Sequence, residues 1–121
     1  MSATATGMLQ DNLVAGNWKI TYLYTNNTDK TAQYSDYLFT FDNNGHSAVA
    51  NPLMSVNGSW SVSEGATGKP IIHLSYTGVE ENPTFGIFPG DWIVEAQNDY
   101  MVALQRTTDN GTEQLNIERL K

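Results

Sequence analysis

The stretch Tyr37-Leu38-Phe39-Thr40-Phe41-Asp42-Asn43-Asn44-Gly45-His46-Ser47-Ala48-Val49-Ala50 decides the fold class. Tyr37, Phe39 and Phe41 alternate with Leu38 and Thr40, the period of two that sends successive side chains to opposite faces of a strand. Asp42-Asn43-Asn44-Gly45 then supplies residues that tolerate positive φ, which a tight hairpin turn needs, and His46 to Ala50 reads as the returning strand. Aromatic alternation running into such a turn is a signal for antiparallel sheet.

The pattern continues on both sides. Upstream, Trp18, Ile20, Tyr22 and Tyr24 are placed on one strand face, with Lys19, Thr21 and Leu23 on the other; residues 25–36 are polar, without periodicity, and read as a surface loop. Downstream, Ser55 to Ser63 reads as one strand with Trp60 and Val62 sharing a face, although Asn57-Gly58 alone would also suit a turn or bulge. After a turn at Gly65–Pro70, Ile72, Leu74 and Tyr76 alternate with Ile71, His73 and Ser75. Asp91–Gln97 is turned by Asn98-Asp99 into Tyr100–Arg106, and Asp109-Asn110-Gly111 turns that strand into Glu113–Leu120.

Eight short strands joined in sequence by hairpin-type turns predict an all-β chain, an eight-stranded antiparallel up-and-down barrel. Before them, Leu9 and Leu13 stand four apart within Met8–Ala15, predicting a short helical turn that Gly16 stops and that lies over one barrel end. Met1–Gly7 is small and polar and reads as disordered or linker, leaving residues 8–121 as a single domain.

The chain has 121 residues, 40% of them hydrophobic and 16% charged, with a net charge of -7. Its six cations, Lys19, Lys30, Lys69, Arg106, Arg119 and Lys121, are scattered, so a phosphate backbone would be repelled and nucleic acid is not an expected partner. There is no cysteine, which removes disulfides, thiolate nucleophiles and cysteine-based zinc sites. No apolar run is long enough to span a membrane as a helix, and the first residues lack a signal or lipid-anchor pattern.

Chemistry-bearing motifs are sparse. No Gly-x-Ser-x-Gly elbow, phosphate loop or dinucleotide fingerprint occurs. His46 and His73 fall on different strands with no third ligand at metal spacing, and Asp29, Asp36, Asp42, Glu80, Glu81 and Asp91 read as solvated turn residues rather than a calcium loop or a glycosidase pair. We therefore expect no metal, no cofactor, no catalytic residues and no enzyme activity.

Gly16-Asn17-Trp18 at the start of the first strand resembles the Gly-x-Trp opening of lipocalins. With Tyr37-Leu38-Phe39-Thr40-Phe41, Asn44-Gly45, Gly58-Ser59-Trp60 and Asp91-Trp92 following in order, the chain is similar, over residues 13–121, to the short lipocalin-like domains of Bacteroidetes secreted proteins and lipoproteins. The resemblance implies that Trp18 closes one barrel end under an arginine of the last strand, here Arg119, with Gly16 beside them. It also implies an extracytoplasmic location (periplasm, cell surface or medium). Its molecular function is largely undefined.

Two functions are weighed from this base. In the first, a non-enzymatic domain binds a small apolar ligand in or at the mouth of the barrel, lined by Tyr22, Phe39, Phe41, Trp60 and Tyr76, with Phe85 and Phe88 of the long Gly78–Gly90 connection as a lid. In the alternative, the aromatics fill the barrel, Phe85 and Phe88 are exposed as a contact patch, and the domain is a structural or protein-interaction module of a bacterial surface protein.

Overall fold

The computed structural model describes residues 5–109 and 111–120. Its elements are α1 (Ala5–Val14), β1 (Asn17–Thr25), β2 (Thr28–Asp29), α2 (Thr31–Tyr34), β3 (Leu38–Phe41), β4 (His46–Ala50), β5 (Ser55–Glu64), β6 (Pro70–Tyr76), a 3₁₀ turn (Pro83–Phe85), β7 (Gly90–Gln97), β8 (Met101–Thr108) and β9 (Gly111–Arg119). The strands form one sheet in the order β2-β1-β3-β4-β5-β6-β7-β8-β9, and β1 also pairs with β9. Every pairing is antiparallel. With β2 set aside as an added ribbon, β1 and β3 to β9 therefore close into an eight-stranded up-and-down barrel with no open edge between first and last strands.

The predicted alternation holds along most of the wall. Phe39 and Phe41 of β3, Val56 and Trp60 of β5, Ile72, Leu74 and Tyr76 of β6, and Trp92 and Val94 of β7 all face the interior. Asn57-Gly58 lies inside one continuous β5.

The first strand departs from the prediction at its middle. Ile20 pairs with Ile117 and Tyr22 with the adjacent Asn116, so Thr21 is an extra, unopposed residue, a β-bulge. An inserted residue reverses the alternation beyond it: Trp18 and Ile20 face in, then Leu23 and Thr25 face in, and Tyr22 and Tyr24 stand on the outside. Tyr22 is thus removed from the predicted interior lining.

The segment read as a featureless loop also carries structure. Asn26 and Asn27 both have positive φ, 53° and 59°, and link Thr25 to its partner Thr28 as a two-residue hairpin. The chain then returns through α2, held to β1 by the Thr31 hydroxyl, which accepts from the Leu23 N–H at 3.0 Å, and by the Lys30 N–H, which donates to the Leu23 carbonyl at 2.8 Å.

At the other end, α1 begins at Ala5, three residues before the predicted start, so part of the expected linker is helical; residues 1–4 lie outside the described residues. Leu9 and Leu13 of α1 are fully buried against the barrel.

Candidate functional site

The two barrel ends are closed differently, and each tryptophan ties one connecting segment to the wall. An indole N–H buried without a partner would cost free energy, so each is a specific anchor. The Trp18 N–H donates to the Leu13 carbonyl at 3.0 Å, pinning the end of α1. The Trp60 N–H donates to the Asp42 carbonyl at 3.0 Å, pinning the β3–β4 turn. The Trp92 N–H donates to the Phe88 carbonyl at 2.9 Å, pinning the long β6–β7 connection.

At the end covered by α1, the structure brings Gly16, Trp18 and Arg119 together: Trp18 and Arg119 are cross-strand partners, and the Arg119 Cδ passes 3.0 Å from where a Cβ on Gly16 would stand. At the opposite end a guanidinium lies over a tryptophan ring, with the Arg106 Cζ 4.0 Å from the centre of Trp92.

That opposite end is plugged. Phe85 and Phe88 of the long connection are fully buried. Phe88 meets Phe39 edge-on at 5.1 Å and Tyr34 at 5.9 Å, while Phe85 packs on Tyr37 at 5.3 Å. The Tyr34 hydroxyl of α2 donates to the Thr84 carbonyl at 3.0 Å, joining the two covering segments. Arg106 fixes the plug to the wall: Nη2 donates to the Ile87 carbonyl at 2.6 Å, Nη1 to the Pro89 carbonyl at 2.7 Å, and Nε to the Glu113 carboxylate at 2.7 Å. The second Glu113 oxygen accepts from the Thr25 hydroxyl. An inward arginine, a carboxylate and two loop carbonyls satisfy one another in a partly desolvated place, where each bond is stronger than in water.

The predicted interior lining therefore resolves into a packed core. Phe39 and Phe41 lie parallel at 6.1 Å, and Phe41 meets Trp60 edge-on at 5.2 Å. The Tyr76 hydroxyl bonds Ser47 at 2.7 Å, and burial pushes the Tyr76 phenol far above its ordinary pKa, the Ser47 bond working in the opposite direction.

Among the described residues three cavities stand out, and none of these is lined by Phe39, Tyr76, Phe85 or Phe88. One of about 300 Å³ lies between α1 and the β3–β4 turn, with Asp11, Val14, Asp42 and Trp60 in its wall. One of about 360 Å³ lies along β3, β4 and β5, beside His46, Ala48 and Asn57. One of about 230 Å³ is the outer face around Tyr22 and Tyr24, against Thr112 and Gln114. Among the described residues, no group of three or more His, Asp or Glu side chains is arranged to hold a metal ion.

Both histidines are partnered by carboxylates: His46 Nδ1 is 3.4 Å from Asp42, and His73 Nδ1 is 2.6 Å from Asp91. His73 makes a second contact that the sequence reading missed, from Nε2 to the Ser63 hydroxyl at 2.7 Å. No linear motif marks this chain. It becomes visible only once β5, β6 and β7 are laid side by side, with Ser61 opposite His73 and His73 opposite Asp91.

No family model and no curated protein matches the chain. Among solved structures, it is similar to a DUF4847 family protein from Bacteroides vulgatus, with a TM-score of 0.62 at 12% identity, covering 93% of this chain and 98% of that one. It is likewise similar to a lipocalin-like protein from Bacteroides uniformis, with a TM-score of 0.60 at 19% identity, covering 88% of this chain and 98% of that one. Barrel closure, strand order and these neighbours together define a lipocalin-like fold.

Proposed function

We propose that this lipocalin-like domain works as an extracytoplasmic binding and interaction module whose barrel interior is a packed scaffold and whose rims and outer wall make its contacts. One observation carries the reading: Phe85 and Phe88 plug the barrel mouth, fully buried, under a loop that Arg106 holds by two carbonyls. A lid that opened for ligand would have to break those bonds and expose two phenylalanines, each stabilised by about 1.5–3 kcal/mol on burial. The location outside the cytoplasm rests on the resemblance to secreted Bacteroidetes domains, and the acidic, cysteine-free composition is compatible with it.

A second reading, a small ligand at the barrel end covered by α1, is supported by the cavity between α1 and the β3–β4 turn. Its wall carries the Asp11 and Asp42 carboxylates beside Trp60, which suits a small polar or cationic molecule better than an apolar one. Native mass spectrometry of protein isolated from its own host separates the two. The scaffold reading expects the mass of the bare chain. A stoichiometric small molecule that is retained by the native protein and lost on Trp60→Ala would favour the site beside α1, and one retained regardless would point to the interior and overturn the packed-barrel reading.

A further inference from the structure

We propose that Ser63, His73 and Asp91 form a nucleophilic serine site on the outer wall of the barrel, able to take acyl groups from small esters. The three residues stand on neighbouring strands and all point away from the core. Asp91 Oδ1 lies 2.6 Å from His73 Nδ1, and His73 Nε2 lies 2.7 Å from Ser63 Oγ. With a neutral imidazole, these contacts set the direction of each hydrogen. An ionised aspartate only accepts, so Nδ1 must carry the imidazole proton; in the neutral ring Nε2 is then an acceptor, and the serine hydroxyl donates to it. That is the polarity a general base needs to activate a serine, with Asp91 positioning the ring in the required tautomer.

The surroundings define the substrate. Register places Ser63 opposite Ile71, and Ile71 opposite Ile93, in the row beside His73 and Asp91. Ile93 is well exposed. Beyond them Lys69, just before β6, is bonded to Glu95 of β7 at 2.7 Å. An apolar strip one isoleucine pair wide, between two polar rungs, offers a seat for a short aliphatic acyl chain and little more.

The chemistry closes on itself. Ser63 Oγ adds to the ester carbonyl carbon while its proton passes to His73 Nε2; the ester C–O bond then breaks as His73 returns that proton to the departing alkoxide. Water repeats the cycle on the acyl-serine, with His73 as base, releasing the carboxylic acid and restoring the Ser63 hydroxyl. The backbone limits the rate. The Gly65 N–H donates to the Lys69 carbonyl and the Thr77 N–H to the Asn57 carbonyl, and antiparallel alternation from these makes Ser63 and Ile71 a hydrogen-bonded pair. The Ser63 N–H is thus committed to the ladder, and the developing oxyanion is left to water. Lack of one such donor typically costs about 10²–10³ in rate, so covalent adduct rather than turnover is the decisive readout.

The test incubates the full chain with p-nitrophenyl acetate and, separately, with an alkyl fluorophosphonate, followed by intact mass and peptide mapping. A single adduct is expected on Ser63, with nitrophenol release and labelling cut about tenfold or more by Ser63→Ala and by His73→Gln. Asp91→Asn should slow labelling, with Asp91→Glu restoring part of it, while Ser75→Ala, an outward serine on β6, leaves it unchanged. The three side chains face solvent, with His73 and Asp91 exposed by 36% and 70%, so melting temperatures should stay near wild type and report any variant that misfolds. Adducts spread over other residues, no adduct at all, or ester cleavage that survives Ser63→Ala but not His73→Gln, which is imidazole acting alone, would each overturn the proposal.

Discussion

Arg106 on β8 and Glu113 on β9 are cross-strand partners whose side chains, 2.7 Å apart, both point into the barrel mouth and together hold the β6–β7 connection closed. Their side chains are only 16% and 11% exposed, so removing either leaves the other charged and poorly solvated. Arg106→Met should therefore destabilise the domain by about 3 kcal/mol in urea unfolding. Arg106→Lys should recover little of that, because an ammonium cannot bridge Glu113, Ile87 and Pro89 as the guanidinium fork does. Hydrogen exchange in residues 78–90 should accelerate in both variants before the strands are affected.

Gly90 is where the plug rejoins the wall. Its φ is +125°, and a Cβ there would stand 2.6 Å from the Arg106 Nη1. Gly68, at φ +84°, has nothing within 4 Å of the same position. Both alanine variants incur backbone strain of about 1–2 kcal/mol, but Gly90→Ala must also displace the guanidinium and should unfold at clearly lower urea than Gly68→Ala.

The bulge at Thr21 predicts an inversion of mutational cost along β1. Leu23→Ala, inside, should cost about 2–5 kcal/mol, whereas Tyr22→Ala, outside, should cost under about 1 kcal/mol. Straight alternation from Trp18 would give the opposite ranking, so thermal unfolding of the two variants reads the bulge directly.

Alkali should weaken the fold through Tyr76. Burial raises its folded pKa above the ordinary value of about 10, so both states are neutral below that pH and stability is at its full value. As pH rises further the unfolded chain ionises while the folded one resists, and stability falls. Burial and the neighbouring Tyr37 shift Tyr34 in the same direction. Urea midpoints should hold steady up to about pH 10 and decline above it, and Tyr76→Phe should flatten that decline at a cost of about 1 kcal/mol for the unpartnered Ser47 hydroxyl.

What could be read in advance follows from which signals are local. Period-two runs such as Phe39–Phe41 and Ile72–Tyr76 report burial strand by strand, and hairpin turns such as Asn98-Asp99 order the strands, so the closed barrel was legible. The Thr21 bulge was not: it arises from the pairing of β1 with β9, almost a hundred residues away in sequence, and nothing within Trp18–Tyr24 marks it. Asn26-Asn27 was legible in principle, since two consecutive asparagines suit positive φ, yet the strand it starts is only two residues long. Arg106 looked like one of six scattered cations because its partners, Ile87, Pro89 and Glu113, come from two other segments. The Ser63, His73 and Asp91 chain was hidden for the same reason.

The ring of strands encloses a filled interior, and a crystal structure determined under pressurised xenon, which enters dry apolar cavities, probes that interior atom by atom. Wild-type protein should show no xenon inside the barrel, and Phe88→Ala should show it beside Phe39 and Tyr34, where the lost ring leaves space. Ordered xenon within the wild-type barrel would mean that the interior is not filled.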